Sequence, residues 1–173
     1  MSHWYMLTLT GADKPGIVAR VTQTLYENGL NLGEASMLRL GGNFTIMMMV
    51  SGDLDADALA AILQPVADDL GLSFHVDEMS GGLHRHLVPN LQVRVHGADR
   101  AGIVARVTGA LAKAGFNILD LESDVAGTPD QPVYIMQIAG IAEVPIEALE
   151  EALAPLRAEG IDVTISPIET LVG

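Results

Sequence analysis

The chain has 173 residues, 49% of them hydrophobic, a net charge of −13 and no cysteine. The apolar fraction is typical of a folded globular protein and excludes a disordered chain, while the missing cysteines exclude disulfides and thiolate sites and favour a cytoplasmic protein. Both halves of the chain are acidic, so neither offers the basic stripe that binds phosphates, and direct contact with DNA or RNA is disfavoured.

The first half of the chain alternates between strand and helix patterns. Apolar residues recur at every second position in the strands and at helical spacing in the helices, and Gly41-Gly42 is a hairpin signal. In order, these patterns predict a strand at Trp4–Thr10, a helix at Pro15–Asn28, strands at Leu32–Leu40 and Phe44–Ser51, a helix at Asp55–Leu70 and a strand at Leu72–Met79.

The second half repeats this order of elements. Its patterns predict a strand at Leu91–Val95, a helix at Ala101–Ala114, a strand at Ile118–Val125, a loop at Ala126–Pro132, a strand at Val133–Ala139, a helix at Pro145–Glu159 and a strand at Ile161–Ile168. Two runs of βαββαβ predict an α+β fold of two tandem ferredoxin-like domains, each an antiparallel four-stranded sheet with two helices on one face. The predicted domains are residues 1–80 and 90–173, joined by a linker at 81–89.

A duplicated segment supports this division. GADKPGIVARVT begins at Gly11 and GADRAGIVARVT begins at Gly97, and 13 of the 22 positions starting at these glycines are identical. Because the two copies begin 86 residues apart, a period longer than that of solenoid repeats, they predict two homologous small domains.

Both copies place Asp-x-x-Gly where the first strand turns into the first helix. Asp13 and Asp99 are suitable helix-capping residues, which accounts for the acid. Gly16 and Gly102 would sit inside a first helical turn, where glycine costs about 1 kcal/mol relative to alanine. A glycine there would let a ligand approach the free amides of the turn, which, together with the helix dipole, suit a carboxylate.

Asn31 and Asn117 each follow a glycine at the start of the next strand. An asparagine after glycine is ordinary turn chemistry. Alternatively, its side chain offers a donor and an acceptor beside the helix turn, which would complement the carboxylate and ammonium of an amino acid.

The repeated turn, the downstream Gly-x-Asn and the βαββαβ order resemble the ACT domain, a small regulatory module that binds amino acids. The tandem layout and the segment GGNFTIMMMVSG resemble the glycine cleavage system transcriptional repressor family. The second copy differs in having Ala101 where the first has Pro15. The resemblance implies that ligand binds where the helix turns and second strand of one ACT domain face a neighbouring domain. The residues that it implies are Asp13, Gly16, Ile17, Asn31, Asp99, Gly102, Ile103 and Asn117.

These observations predict a non-enzymatic sensor of a small amino acid, with glycine the first candidate. It would form a homodimer and act through a protein partner such as a DNA-bound transcription regulator. Two alternatives stay open: a detached regulatory subunit of an amino-acid or folate-linked enzyme, and an acylphosphatase-type catalyst, which would need an arginine in a phosphate-cradling loop. No catalytic or cofactor-binding motif and no membrane-length apolar run occurs in the sequence. The histidines of the linker, His84 and His86, lack the further ligands that a metal site needs.

Three smaller features also carry predictions. Met47, Met48 and Met49 are interpreted as adaptable core packing, with a pliable interface as the alternative. The acidic run Asp53, Asp55 and Asp57 is interpreted as the cap of the second helix. Arg20 and Arg106 lie on the polar side of the first helix of each copy, where solvent exposure is the default and an acidic partner surface the alternative.

Overall fold

A computed structural model describes residues 3–80, 87–98 and 102–168. The chain divides into two compact units between residues 83 and 84, and each has its own hydrophobic core. The linker predicted at 81–89 lies mostly outside the described residues, as do His84 and His86. No helix in the described ranges is long and apolar enough to cross a membrane.

The two units have the same topology. The first contains β1 (His3–Ala12), α1 (Ile17–Glu27), β2 (Asn31–Leu40), β3 (Asn43–Gly52), α2 (Ala56–Leu70) and β4 (Leu72–Glu78). The second contains β5 (Leu91–Ala98), α3 (Ile103–Lys113), β6 (Phe116–Thr128), β7 (Gln131–Ala142), α4 (Ile146–Ala158) and β8 (Asp162–Pro167). The strand orders are β2-β3-β1-β4 and β6-β7-β5-β8, with antiparallel neighbours. The predicted α+β fold of tandem ferredoxin-like domains is confirmed.

Each core lies between one face of a sheet and the apolar stripes of two helices. In the first unit, alternate β1 residues Leu7 and Leu9 are fully buried, together with Val21 and Leu25 at helical spacing on α1. The second unit buries the equivalent β5 and α3 residues. The two periodicities in the sequence therefore correspond directly to the two layers of each unit.

One predicted loop is wrong. Residues 126–132 were expected to form an irregular connection, but β6 continues to Thr128 and β7 begins at Gln131, paired with each other across a two-residue turn. Gly127 adopts a φ of 94° within this hairpin. The glycine and prolines that indicated a loop occupy the end of a long hairpin, where their effect on strand pairing is small.

The second helix of the first unit has an acidic cap, and the second helices of both units contain a proline. Asp55 caps α2 by accepting a hydrogen bond from the Ala58 amide at 2.8 Å, which confirms the predicted acidic cap. Both helices also contain an interior proline, Pro65 in α2 and Pro155 in α4, and both prolines are exposed.

The methionine run lies on both faces of β3. Met48 is 2% exposed and belongs to the core beneath the helices, whereas Met47 is 47% exposed on the opposite face. Met49 is buried but lies outside that core cluster. The prediction of core packing thus holds for Met48, and strand alternation explains why it fails for Met47.

Tyr5 gives the first unit a testable pH dependence. Its hydroxyl donates to the Leu54 carbonyl oxygen at 2.8 Å, and burial, followed by the carboxylates of Glu78 and Asp55, raises its pKa above the ordinary value of 10.0. Because the folded state binds this proton more tightly, the contribution to stability is complete below pH 10 and is lost as pH rises through the folded pKa. We expect the free energy of unfolding to fall above pH 10, and Tyr5→Phe to remove part of that fall.

The measurement is denaturant unfolding between pH 8 and pH 12. Tyr26→Phe is the matched control, because this tyrosine is exposed on α1. An unchanged alkaline slope in Tyr5→Phe would contradict the assignment.

Candidate functional site

In the first unit, the turn from β1 to α1 is held by the neighbouring hairpin. The Asp13 amide donates to the Gly42 carbonyl oxygen at 3.0 Å. The first helical hydrogen bond runs from the Arg20 amide to the Gly16 carbonyl oxygen at 3.0 Å, and no side chain caps this end of α1. The first amides of the helix therefore point out of the turn without a side-chain acceptor, as a ligand carboxylate would require.

Gly16 is the residue before the helix, and its backbone is left-handed, with φ 88° and ψ 0°. It was expected inside the first turn, so its position is corrected by one residue. A Cβ atom there would meet no atom within 4 Å, so space in the unit does not demand glycine. The backbone angle does, since an L side chain is strained at this φ.

Asp13 does not cap the helix as predicted. Its carboxylate forms an ion pair with the Arg39 guanidinium, which reaches across from β2. The Asp13 side chain is 25% exposed and that of Arg39 is 67% exposed. The neighbouring Lys14 donates from Nζ to the Leu70 carbonyl oxygen at 3.2 Å, at the C-terminal end of α2. The turn thus presents a half-buried carboxylate and an open guanidinium side by side.

These groups border an open cleft of about 510 Å³. Apolar side chains form part of its wall, including the exposed Met37 and the buried Phe44. A negative group, a positive group and free amides around an apolar wall could hold a small zwitterion. The lining residues are Asp13, Lys14, Pro15, Gly16, Ile17, Val18, Ala19, Met37, Arg39 and Phe44.

The second unit repeats the backbone conformation at the start of the helix. Gly102 has φ 86° and ψ 3° before α3, and its carbonyl oxygen accepts from the Arg106 amide at 3.0 Å. Asp99 lies outside the described residues. The register of β6 places Val125 opposite Tyr134, as β2 places Arg39 opposite Phe44, so valine replaces the arginine.

Ile17 and Ile103 were predicted to bind ligand, but their side chains lie in the two cores. Both residues are the first of their helix. They could therefore offer a ligand only their backbone amides, and their side chains anchor the turns to the sheets.

Asn31 and Asn117 do not lie beside the helix turns of their own units. Asn31 pairs with Ser51 at one end of the sheet, whereas Asp13 is bonded to the hairpin at the other end. Asn117 likewise begins β6, opposite Ile141. The whole first helix lies between the turn and the asparagine along the chain. The two motifs therefore lie at opposite ends of the sheet, which the prediction overlooked.

Arg20 and Arg106 pair within their own units. Arg20 contacts Asp69 at 2.5 Å, and Arg106 contacts Glu159 at 2.5 Å, each joining the first helix of a unit to the end of the second. Both arginines are exposed, as the default prediction had it, and each also forms an ion pair within its own unit that the prediction did not include. Each carboxylate lies near the end of a helix that is far from its arginine along the chain, so no local pattern in the sequence predicts the pairing.

The left-handed backbone of Gly102 leads to a prediction about stability. Gly102→Ala is expected to destabilise the protein by about 1–2 kcal/mol, because alanine is strained at positive φ. Gly109→Ala, in the interior of α3, should instead stabilise it by about 0.5–1 kcal/mol. A Cβ meets nothing within 4 Å at either site, so the pair isolates the backbone effect. Denaturant unfolding measures both, and equal shifts would contradict the argument.

Comparison with known proteins is consistent with this arrangement. A family profile described as ACT domain matches residues 3–77, and a second ACT-domain profile matches residues 91–163. The chain belongs to the ACT-domain family. It carries two ACT domains in tandem, and the resemblance noted in the sequence is confirmed.

One curated protein and two solved structures are similar to this chain over nearly its whole length. The glycine cleavage system transcriptional repressor of Escherichia coli (strain K12) is 26% identical over 162 residues, which is 91% of this chain and 85% of that protein. The structure of an unknown protein from Galdieria sulphuraria has a TM-score of 0.77 at 24% identity, covering 98% of this chain and 100% of that one. The structure of a "putative glycine cleavage system transcriptional repressor" has a TM-score of 0.71 at 19% identity, covering 98% and 99%. At these identities the two structures establish the fold.

In the described parts of the chain, no group of three or more histidine or acidic side chains could hold a metal ion.

Proposed function

We propose that this protein is a non-enzymatic, cytoplasmic regulator that senses a small amino acid, with glycine the first candidate. The observation that carries the proposal is the uncapped helix turn beside the Asp13–Arg39 pair on an open cleft. An ammonium group would meet the aspartate, and a carboxylate would meet the free amides and the guanidinium. The tandem ACT architecture and the repressor relative support the regulatory role.

We further propose that the signal passes through a protein partner, such as a DNA-bound transcription regulator. The net charge of −13 is unsuited to direct contact with phosphates and leaves protein contact as the route. A ligand would shift the regulator only by its difference in affinity for two states of the assembly.

A homodimer is part of the same proposal. The edge strand β2 is ten residues long and every one of its residues is exposed, including Met37, Leu38 and Leu40. An uncovered apolar edge of this length is a template for pairing with a second copy. Sedimentation with and without glycine would measure the assembly.

The test of ligand binding is calorimetric titration with glycine, serine and a panel of other amino acids. Ala19→Glu combined with Ala105→Glu places a carboxylate in the first turn of α1 and of α3. An acid there favours the helix, so the fold should survive while the added carboxylate competes with that of the ligand. We expect saturable binding in the parent and its loss in this double variant.

The matched control is Ala61→Glu combined with Ala154→Glu, at exposed positions of α2 and α4. It makes the same chemical change and adds the same charge away from the turns, so binding should persist. No binding across the panel by the parent would refute the sensor, and equal loss in both double variants would refute its location. Affinity capture that retrieves a metabolic enzyme and no transcription factor would favour a detached regulatory subunit.

A further inference from the structure

The two ACT domains differ in charge at the strand position that faces Asp13 in the first domain. Arg39, in β2, pairs with Asp13 in the first domain, and the matching register position in β6 is Val125, which is 56% exposed. The glycine backbones of the turns are nearly identical, so this difference is one of side-chain chemistry.

From this difference, and resting on the proposed function, we infer that Arg39 is the carboxylate-binding, specificity-determining residue of the first domain. At the matching position of the second domain, the described residues have valine instead of a guanidinium. The two turns therefore differ chemically at this strand position, although their sequence motifs are nearly the same. The first should select for a free α-carboxylate, and the second should select for it much less.

The geometry of Arg39 supports this role. A guanidinium has five N–H donors, and the contact with Asp13 is made by Nη2. The side chain is 67% exposed along the cleft, which leaves its other donors accessible to a second carboxylate. Planar, bidentate recognition of carboxylates is the chemistry that distinguishes arginine from lysine.

The other cation of the turn is directed elsewhere. Lys14 donates from Nζ to the Leu70 carbonyl oxygen, at the end of α2. Asp13 keeps a negative charge next to Arg39, which suits the ammonium group of the same ligand. The pair thus matches both ends of a zwitterion.

The test isolates each helix turn with the blocking substitutions defined above. In the Ala105→Glu background, which blocks the second turn, glycine and glycinamide are titrated into two proteins. One protein keeps Arg39, and the other carries Arg39→Leu. Charge-assisted hydrogen bonds to arginine correspond to about a 10- to 100-fold change in affinity. We expect Arg39→Leu to lower the affinity for glycine by about that factor and to remove the preference for glycine over glycinamide.

Two further variants make the result specific. Arg94→Leu removes the same charge from an exposed strand residue of the second domain and should leave glycine affinity unchanged. Val125→Arg, in the Ala19→Glu background that blocks the first turn, should confer or strengthen a preference for glycine over glycinamide in the second domain. This gain does not depend on the folding of Arg39→Leu.

The outcomes separate the two proposals. If the parent binds no amino acid, the sensor fails and the role of Arg39 fails with it. If the parent binds glycine while Arg39→Leu keeps both its affinity and its preference for the carboxylate, the role of Arg39 is overturned and the sensor stands. An equal loss in Arg94→Leu would also overturn it, because the effect would then be one of overall charge.

Discussion

Gly140→Ala is expected to destabilise the second domain by about 3 kcal/mol, because the site has no room for a methyl group. The added Cβ would lie 2.5 Å from Cζ of the buried Phe116 ring and would overlap the carbonyl oxygen of Asn117. The backbone cannot easily withdraw, since Gly140 pairs with both Leu91 and Ile118 in the centre of the sheet. Denaturant unfolding followed by circular dichroism measures the loss.

Gly97→Ala is the matched control on the adjacent strand β5. Its Cβ would meet Ile103 Cδ1 at 3.8 Å, an ordinary contact, so the free energy of unfolding should change by less than about 0.5 kcal/mol. Combining Gly140→Ala with Phe116→Leu should recover part of the loss by removing the ring. Equal effects of the two glycine substitutions would show that the predicted overlap is relieved at little cost.

Met48→Ala is expected to destabilise the first domain by about 2–5 kcal/mol, the range for deleting a buried methionine side chain. Met48 is 2% exposed and packs in the core with Leu7 and Val50. The deletion removes buried apolar surface and leaves a cavity that the sheet and helices can fill only in part.

Met47→Ala makes the same change one residue earlier, on the half-exposed face of β3. It should cost less than about 0.5 kcal/mol. Fluorescence of Trp4, the single tryptophan of the chain, reports unfolding of the first domain for both variants. Similar losses at the two positions would contradict the assignment of Met48 alone to the core beneath the helices.

The fold could be predicted from the sequence because local periodicity and the duplicated turn agreed. Strand alternation before Gly11 and helical spacing after Gly16 predict a strand followed by a helix, and the structure has both in that order. The predicted loop at 126–132 failed because glycine and proline penalties are local, whereas strand pairing across β6 and β7 is not.

The candidate site was harder to predict. The positive φ of Gly16 identifies it as the residue that precedes the helix, and the pattern of side chains in the sequence does not predict this angle. The pairing of Asp13 with Arg39 joins residues from different elements, and a single sequence carries no direct signal for it. Asn31 was placed beside the turn from its side-chain chemistry, but α1 runs between them and they lie at opposite ends of the sheet.

The interior prolines of α2 and α4 have a consequence for the order of folding. Each removes a helical amide donor, and proline costs about 3 kcal/mol in a helix interior, so neither segment can propagate a stable helix on its own. Buried leucines such as Leu63 and Leu153 instead hold these helices against the sheets. We therefore expect each second helix to consolidate only after its sheet has begun to assemble, with earlier nucleation left to the hairpins and to the proline-free helices α1 and α3.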